Sequence, residues 1–166
     1  CDLLLPRSPN KEQFLAACEL ADEAHARSVL AADPNLLSQL TADDPGHLDG
    51  AAFAHNIPAL ELMLELGFDV NARRGEGFTA VGHAALRGHV ETVRLLIARN
   101  ADLEMRNDYG GTALEGCQWG SLNFRDPTGD YPACAEALVQ AGAKLKHPGF
   151  ASDAVQAVLR RYAGSK

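Results

Sequence analysis

Residues 79–104, TAVGHAALRGHVETVRLLIARNADLE, decide how the rest of the chain is read, because residues 46–71, GHLDGAAFAHNIPALELMLELGFDVN, carry the same pattern 33 positions earlier. Ala51 and Ala52 answer to Ala84 and Ala85, Leu62 to Leu95 and Asp69 to Asp102, each 33 residues apart. A further step of 33 carries Gly77 to Gly110, Thr79 to Thr112 and Val81 to Leu114. Upstream, a step of 34 pairs Phe14 with Leu48, Val29 with Met63, Leu30 with Leu64 and Asn35 with Asp69.

Within a unit, two apolar stretches have helical spacing, for example Val81, Ala84, Ala85 and then Val93, Leu96, Ile97. Gly88-His89 separates them and Asn100-Ala101-Asp102 closes the second. Small residues on the first helix and larger ones on the second allow successive pairs to stack closely. One pair cannot bury its apolar face alone, so the pattern predicts an all-α solenoid with a core continuous along the array. Four units are expected over residues 11–44, 45–73, 74–106 and 107–146, after an N-terminal segment at 1–10. In residues 147–166, SDAVQAVLRRY predicts a capping helix with Val155, Val158, Leu159 and Tyr162 on one face and Arg160 and Arg161 at the end that suits cations.

From Asn100 to its counterpart Gly142 is 42 residues instead of 33, so nine residues are extra, expected to enter from Gly120 onward between the helices of the fourth unit. RDPTGDYP, residues 125–132, supplies turn formers and places Pro132 in the first turn of the second helix. Leu122, Phe124 and Tyr131 give this insertion apolar side chains, which predicts an ordered loop.

At this point residues 77–104, GFTAVGHAALRGHVETVRLLIARNADLE, resemble the ankyrin repeat, whose pattern runs G-x-T-P-L-H-x-A-A-x-x-G-H-x-x-V-V-x-L-L-L-x-x-G-A-D-V-N. PALELMLELGFDVN at 58–71 follows the pattern well, 110–118 and 131–143 moderately, and 11–40 weakly. Gly82 stands where the family has its His, with His83 one place on; Glu115 replaces that His in the next unit, and Ala80 and Ala113 replace the Pro. The resemblance implies an ankyrin-repeat solenoid of antiparallel helix pairs that binds another protein through its concave face and turn tips. It implies no common active site and no cofactor. The expanded inter-helix loop is similar to that of bacterial ankyrin proteins of unassigned function.

Charge narrows the partners. With 22 acidic residues against 15 basic ones, the net charge is −7, which repels phosphate backbones and anionic membrane surfaces, so neither nucleic acid nor membrane is an expected partner. The chain reads as a cytoplasmic protein, monomeric in isolation, whose Cys18, Cys117 and Cys134 are buried thiols, Cys134 at the position of Thr92 once the insertion is allowed for. CDLLL is too short for a signal peptide, although Cys1 is also where a mature bacterial lipoprotein carries its lipid. CDLLLPRSPN reads as the end of an upstream repeat, with Leu3, Leu4 and Leu5 packed against it. That predicts an alternative role as the recruitment domain of a longer enzyme or effector.

Chemistry is sparse. His83 and His89 lie six apart across a helix end and share no face, and GEG at 75–77 is a turn signal, so no catalytic, cofactor-binding or metal residue is assigned. The register supplies a site of another kind. Phe53, Leu86 and Trp119 recur 33 apart at the first variable position after the small pair, which the resemblance places on the concave side. With Arg87 beside Leu86, and Arg73, Glu76, Arg106 and Tyr109 in the turns, they predict an aromatic, Arg-bearing groove for an acidic or apolar segment of a partner. The competing expectation is that Leu122 and Phe124 fold back over Trp119.

Overall fold

The computed structural model describes residues 9–41, 47–147 and 150–163. The expectations for Cys1 and for Leu3, Leu4 and Leu5 lie outside the described residues. Among the described residues nine helices run in chain order: α1 (Pro9–Glu19), α2 (Glu23–Ala32), α3 (Leu48–Phe53), α4 (Ile57–Leu66), α5 (Ala80–Arg87), α6 (Val90–Ala98), α7 (Ala113–Asn123), α8 (Tyr131–Gln140) and α9 (Asp153–Ala163). Short 3-10 turns occur at Leu36–Gln39 and Gly75–Gly77. The described residues hold no strand, only an isolated bridge between Arg74 and Phe78.

Local chemistry sets the helix ends. Thr79 accepts from the Gly82 amide, and Thr112 forms a reciprocal capping box with Glu115, so the first helices of the third and fourth units start firmly without the family's Pro. Glu115, standing where the family has its His, is thus an N-terminal cap partner. Asn56 and Asp130 cap α4 and α8, each with Pro in the first turn. Gly67 and Gly88, at φ of 98° and 74°, take the left-handed conformation that ends α4 and α5.

The first helices stack on one another, α3 on α5 and α5 on α7, and the second helices α6 and α8 lie behind them. Small side chains make the stacking close: Ala51, Ala52, Ala84, Ala85 and Cys117 are buried at the interface. Leu60, Met63, Leu96, Leu114 and Leu138 fill the space between layers. Cys18, Cys117 and Cys134 are buried free thiols, and burial pushes the Cys18 thiol up to about 12. Phe14 stacks on Phe68 with ring centroids 5.9 Å apart, tying α1 to the second unit.

Neighbouring units are also stitched by hydrogen bonds at recurring separations. His89 Nδ1 contacts the Ala52 carbonyl at 3.3 Å, and the Asn56 side chain donates to the Glu19 carbonyl at 3.0 Å; both pairs are 37 apart. In the turns, Asn71 accepts from the Asp102 amide and Glu104 from the Lys144 amide, each at 2.8 Å. At the C-terminal end α9 packs on α8. Val155, Val158 and Leu159 are buried, and the Tyr162 hydroxyl donates to Glu136 at 3.0 Å.

The insertion enters later than Gly120. α7 continues to Asn123 and has 11 residues where α5 has 8, so part of the extra length prolongs the helix before the chain turns back. The continuation is favoured because Gly120 and Ser121 are buried against neighbours, leaving no reason to break the helix there. The loop that follows is pinned to the end of α5: the Asp130 amide donates to the Gly88 carbonyl at 2.9 Å, and the Tyr131 hydroxyl lies 3.2 Å from the Asp126 amide and 3.4 Å from the Leu86 carbonyl.

Candidate functional site

A groove of about 870 Å³ opens along the stacked first helices. Phe53, Leu86 and Trp119, from α3, α5 and α7, lie along it, and the turns contribute Glu76, Arg106 and Tyr109. Helical register explains the ladder. On α7, Cys117, Gln118, Gly120 and Ser121 are buried, and Trp119 between them is 43% exposed. Its edge meets Phe124, with centroids 5.6 Å apart, so the insertion borders the ladder and leaves it open.

Arg73 and Arg87 are not among the residues that line the groove wall. Arg73 turns along its own loop, donating to the Gly77 carbonyl and pairing with Asp108 at 2.9 Å. Arg87 pairs with Asp126 of the insertion at 2.5 Å, and its guanidinium lies over the rings of Phe53 and Phe124, 4.7 Å and 5.4 Å from their centroids. Arg106 does line the groove, but it pairs with Glu115 at 3.6 Å and donates to the Gly110 carbonyl. The three guanidinium charges expected to meet an acidic partner therefore have partners within the chain.

Other lining residues carry no signal in the repeat register. His83 stacks on Phe78 with centroids 4.5 Å apart and meets Phe53 edge-on at 5.5 Å. Its Nδ1 lies 3.6 Å from Asp49, which also faces Arg74 at 3.6 Å. Burial opposes the Asp49 charge, but the neighbouring His83 ring and Arg74 guanidinium outweigh it and hold the carboxyl below its ordinary range. Gln118, fully buried at the position of Ala85, donates to the His147 carbonyl at 2.6 Å, and Ser121 accepts from the Ser152 amide. These bonds draw the segment before α9 over the end of α7 and place His147 and Phe150 on the groove wall. Hydrogen bonding to Glu76 raises the Tyr109 hydroxyl above its usual pKa.

Behind the groove, His89 begins α6, is 5% exposed and lies 4.6 Å from the His55 ring and 4.0 Å from Asp126. Burial pushes its pKa below the ordinary value; the Ala52 carbonyl and Asp126 act the other way, and His55 and Arg87 add to the depression. The native state thus disfavours the proton that the unfolded chain takes up near pH 6.5. Stability contributed by this neutral imidazole is present above about pH 6.5 and lost as the pH falls through the lower folded value. Urea midpoints at about pH 7.5 and about pH 5.5 should therefore fall in the wild type and fall less in His89→Asn, which keeps a capping residue.

Among the described residues, no three His, Cys, Asp or Glu side chains are grouped to hold a metal, and no helix is long and apolar enough to cross a membrane. Residues 48–97 match the profile of the family described as ankyrin repeats (many copies). A probable E3 ubiquitin-protein ligase of Oryza sativa subsp. japonica is 35% identical over 112 residues, 64% of this chain and 22% of that protein. The ankyrin repeat and SAM domain-containing protein 6 of Rattus norvegicus is 30% identical over 103 residues, 61% of this chain and 11% of the relative. A putative ankyrin repeat protein of Fowlpox virus (strain NVSL) is 32% identical over 73 residues, 44% of this chain and 17% of its own length. The aligned stretch is at most 22% of each of these relatives. With its helix pairs stacked at the matching period, the structure is an ankyrin solenoid, and residues 48–97 are similar to the ankyrin-repeat proteins. Their repeats serve in general as protein–protein interaction modules and form a non-catalytic repeat domain.

Proposed function

We propose that the chain binds a segment of another protein in the groove lined by Phe53, Leu86 and Trp119, with Tyr109 at its turn-side rim. The observation that carries this reading is a concentration of exposed apolar surface. Among the described residues the large exposed hydrophobic side chains are Leu20, Phe53, Tyr109, Trp119, Phe124 and Phe150, and all but Leu20 line this one groove. Scattered exposed apolar side chains need no explanation, whereas a contiguous concave set is what a binding hot spot requires. The test is selection of ligands from a displayed random-peptide library on the wild type, followed by measurement on the double variant Phe53→Ala, Tyr109→Ala. Both side chains are exposed, so the variant should fold. Selected ligands are expected to lose most of their affinity for it; ligands that bind both proteins equally would sink the proposal.

A second reading, a recruitment domain within a longer enzyme or effector, is favoured by the small share of its relatives that the chain covers. The aligned stretch is 22% of the probable ubiquitin-protein ligase and 11% of the SAM-domain protein. In this reading the groove selects the protein on which another domain acts. A complete reading frame running only from residue 1 to residue 166 would remove it; a catalytic signature beyond those bounds would support it.

A further inference from the structure

We infer that the segment held in this groove presents a basic side chain, Lys or Arg, among apolar residues, seated on the aromatic rings with Glu76 as its counter-charge. The inference rests on the proposed function and sharpens it. Repeat register alone points the other way, because three arginines surround the groove. Each of them, however, is engaged: Arg73 by Asp108, Arg87 by Asp126 and Arg106 by Glu115. An acidic segment would have to compete with these carboxylates for a counter-charge. Histidines apart, the groove wall carries two carboxylates, Glu76 and Glu115, against the one guanidinium of Arg106, and the whole chain carries −7. The remaining charge is therefore negative, and Glu76 shares the turn-side rim of the groove with Tyr109.

The rings supply the second argument. Aromatic faces attract cations, Trp most strongly, and a basic side chain also offers an apolar stem to the ring surfaces. The chain already uses this chemistry at the insertion end of the groove, where the Arg87 guanidinium rests over Phe53 and Phe124. Further along, Trp119 at 43% exposure and Tyr109 at 73% offer ring surface that the chain itself leaves open. Charge and ring chemistry thus favour the same occupant.

The test extends the library selection. Peptides that need Phe53 and Tyr109 should be enriched in Lys or Arg flanked by apolar residues. Replacing that basic residue by norleucine, which keeps the stem and removes the charge, should weaken binding roughly ten-fold. Glu76→Gln should weaken the basic peptide several-fold and leave the norleucine peptide unchanged, with the difference shrinking as salt is raised. Groove-dependent peptides that are acidic or uncharged, a norleucine exchange without loss, or an indifferent Glu76→Gln would overturn the inference while leaving the proposed function standing. If no selected peptide depends on Phe53 and Tyr109, both fall together.

Discussion

Gly120→Ala is expected to destabilise the protein by about 3 kcal/mol, although alanine is the better helix former by about 1 kcal/mol. Gly120 lies inside α7, where propensity alone predicts a gain. Packing reverses the sign. A Cβ on Gly120 would overlap the Leu86 carbonyl oxygen and lie 3.0 Å from the Tyr131 ring. The obstacle on the α5 side is backbone, so no rotamer change relieves it; α5 and α7 must separate, and the Tyr131 hydroxyl loses its place between Leu86 and Asp126. Overpacking in a tight interface costs roughly 1–3 kcal/mol, and the upper end applies when the main chain has to move. In a chain of this size the loss corresponds to a melting temperature lower by roughly 10 °C. Gly50→Ala is the paired control: Gly50 is helical, and a Cβ there meets nothing within 4 Å. It should gain about 0.5–1 kcal/mol in the same urea titration. A neutral Gly120→Ala would mean that α5 and α7 do not approach as closely as described.

The same glycine marks where the sequence stopped being legible. Pairs such as Ala51 with Ala84 repeat at 33 residues because each unit must meet identical neighbours, so the period carried the architecture, the helix pairs and the Phe53, Leu86 and Trp119 ladder. Position 120 breaks that logic: nine extra residues have no counterpart to align with, and a Gly beside turn formers reads as a loop start. Only the contact with Leu86 reveals that the glycine is a close-approach residue within a longer α7. The ion pairs of the arginines were illegible for a related reason. Register places a side chain on a face, but Arg73, Arg87 and Arg106 are directed by Asp108, Asp126 and Glu115, and such pairings depend on three-dimensional neighbours. His147 and Phe150 reach the groove because buried Gln118 and Ser121 tether the segment before α9, and neither bond has a periodic signature.

Trp119→Ala is expected to cost the fold about 1 kcal/mol and to weaken a groove-bound ligand roughly 30-fold or more. The small stability term follows from the ring's surroundings. Its contact with Phe124 is a single edge-on pair, of a kind worth about 0.5–1.5 kcal/mol, and alanine returns part of that as helix propensity. The residues on either side, Gln118 and Gly120, keep their own buried contacts when the ring is removed. The large binding term follows from position, since Trp119 is exposed and lines the groove together with Phe53, Phe124 and Phe150. Because the chain has one tryptophan, its fluorescence reports ligand binding directly in the wild type, and calorimetry serves for the variant. Had the insertion roofed the ladder, the same substitution would leave a cavity and cost about 3–5 kcal/mol while sparing ligand affinity. Melting curves and affinities on the one variant therefore separate a structural ring from a contact ring. A change in neither would remove Trp119 from both roles, and with it the centre of the proposed site.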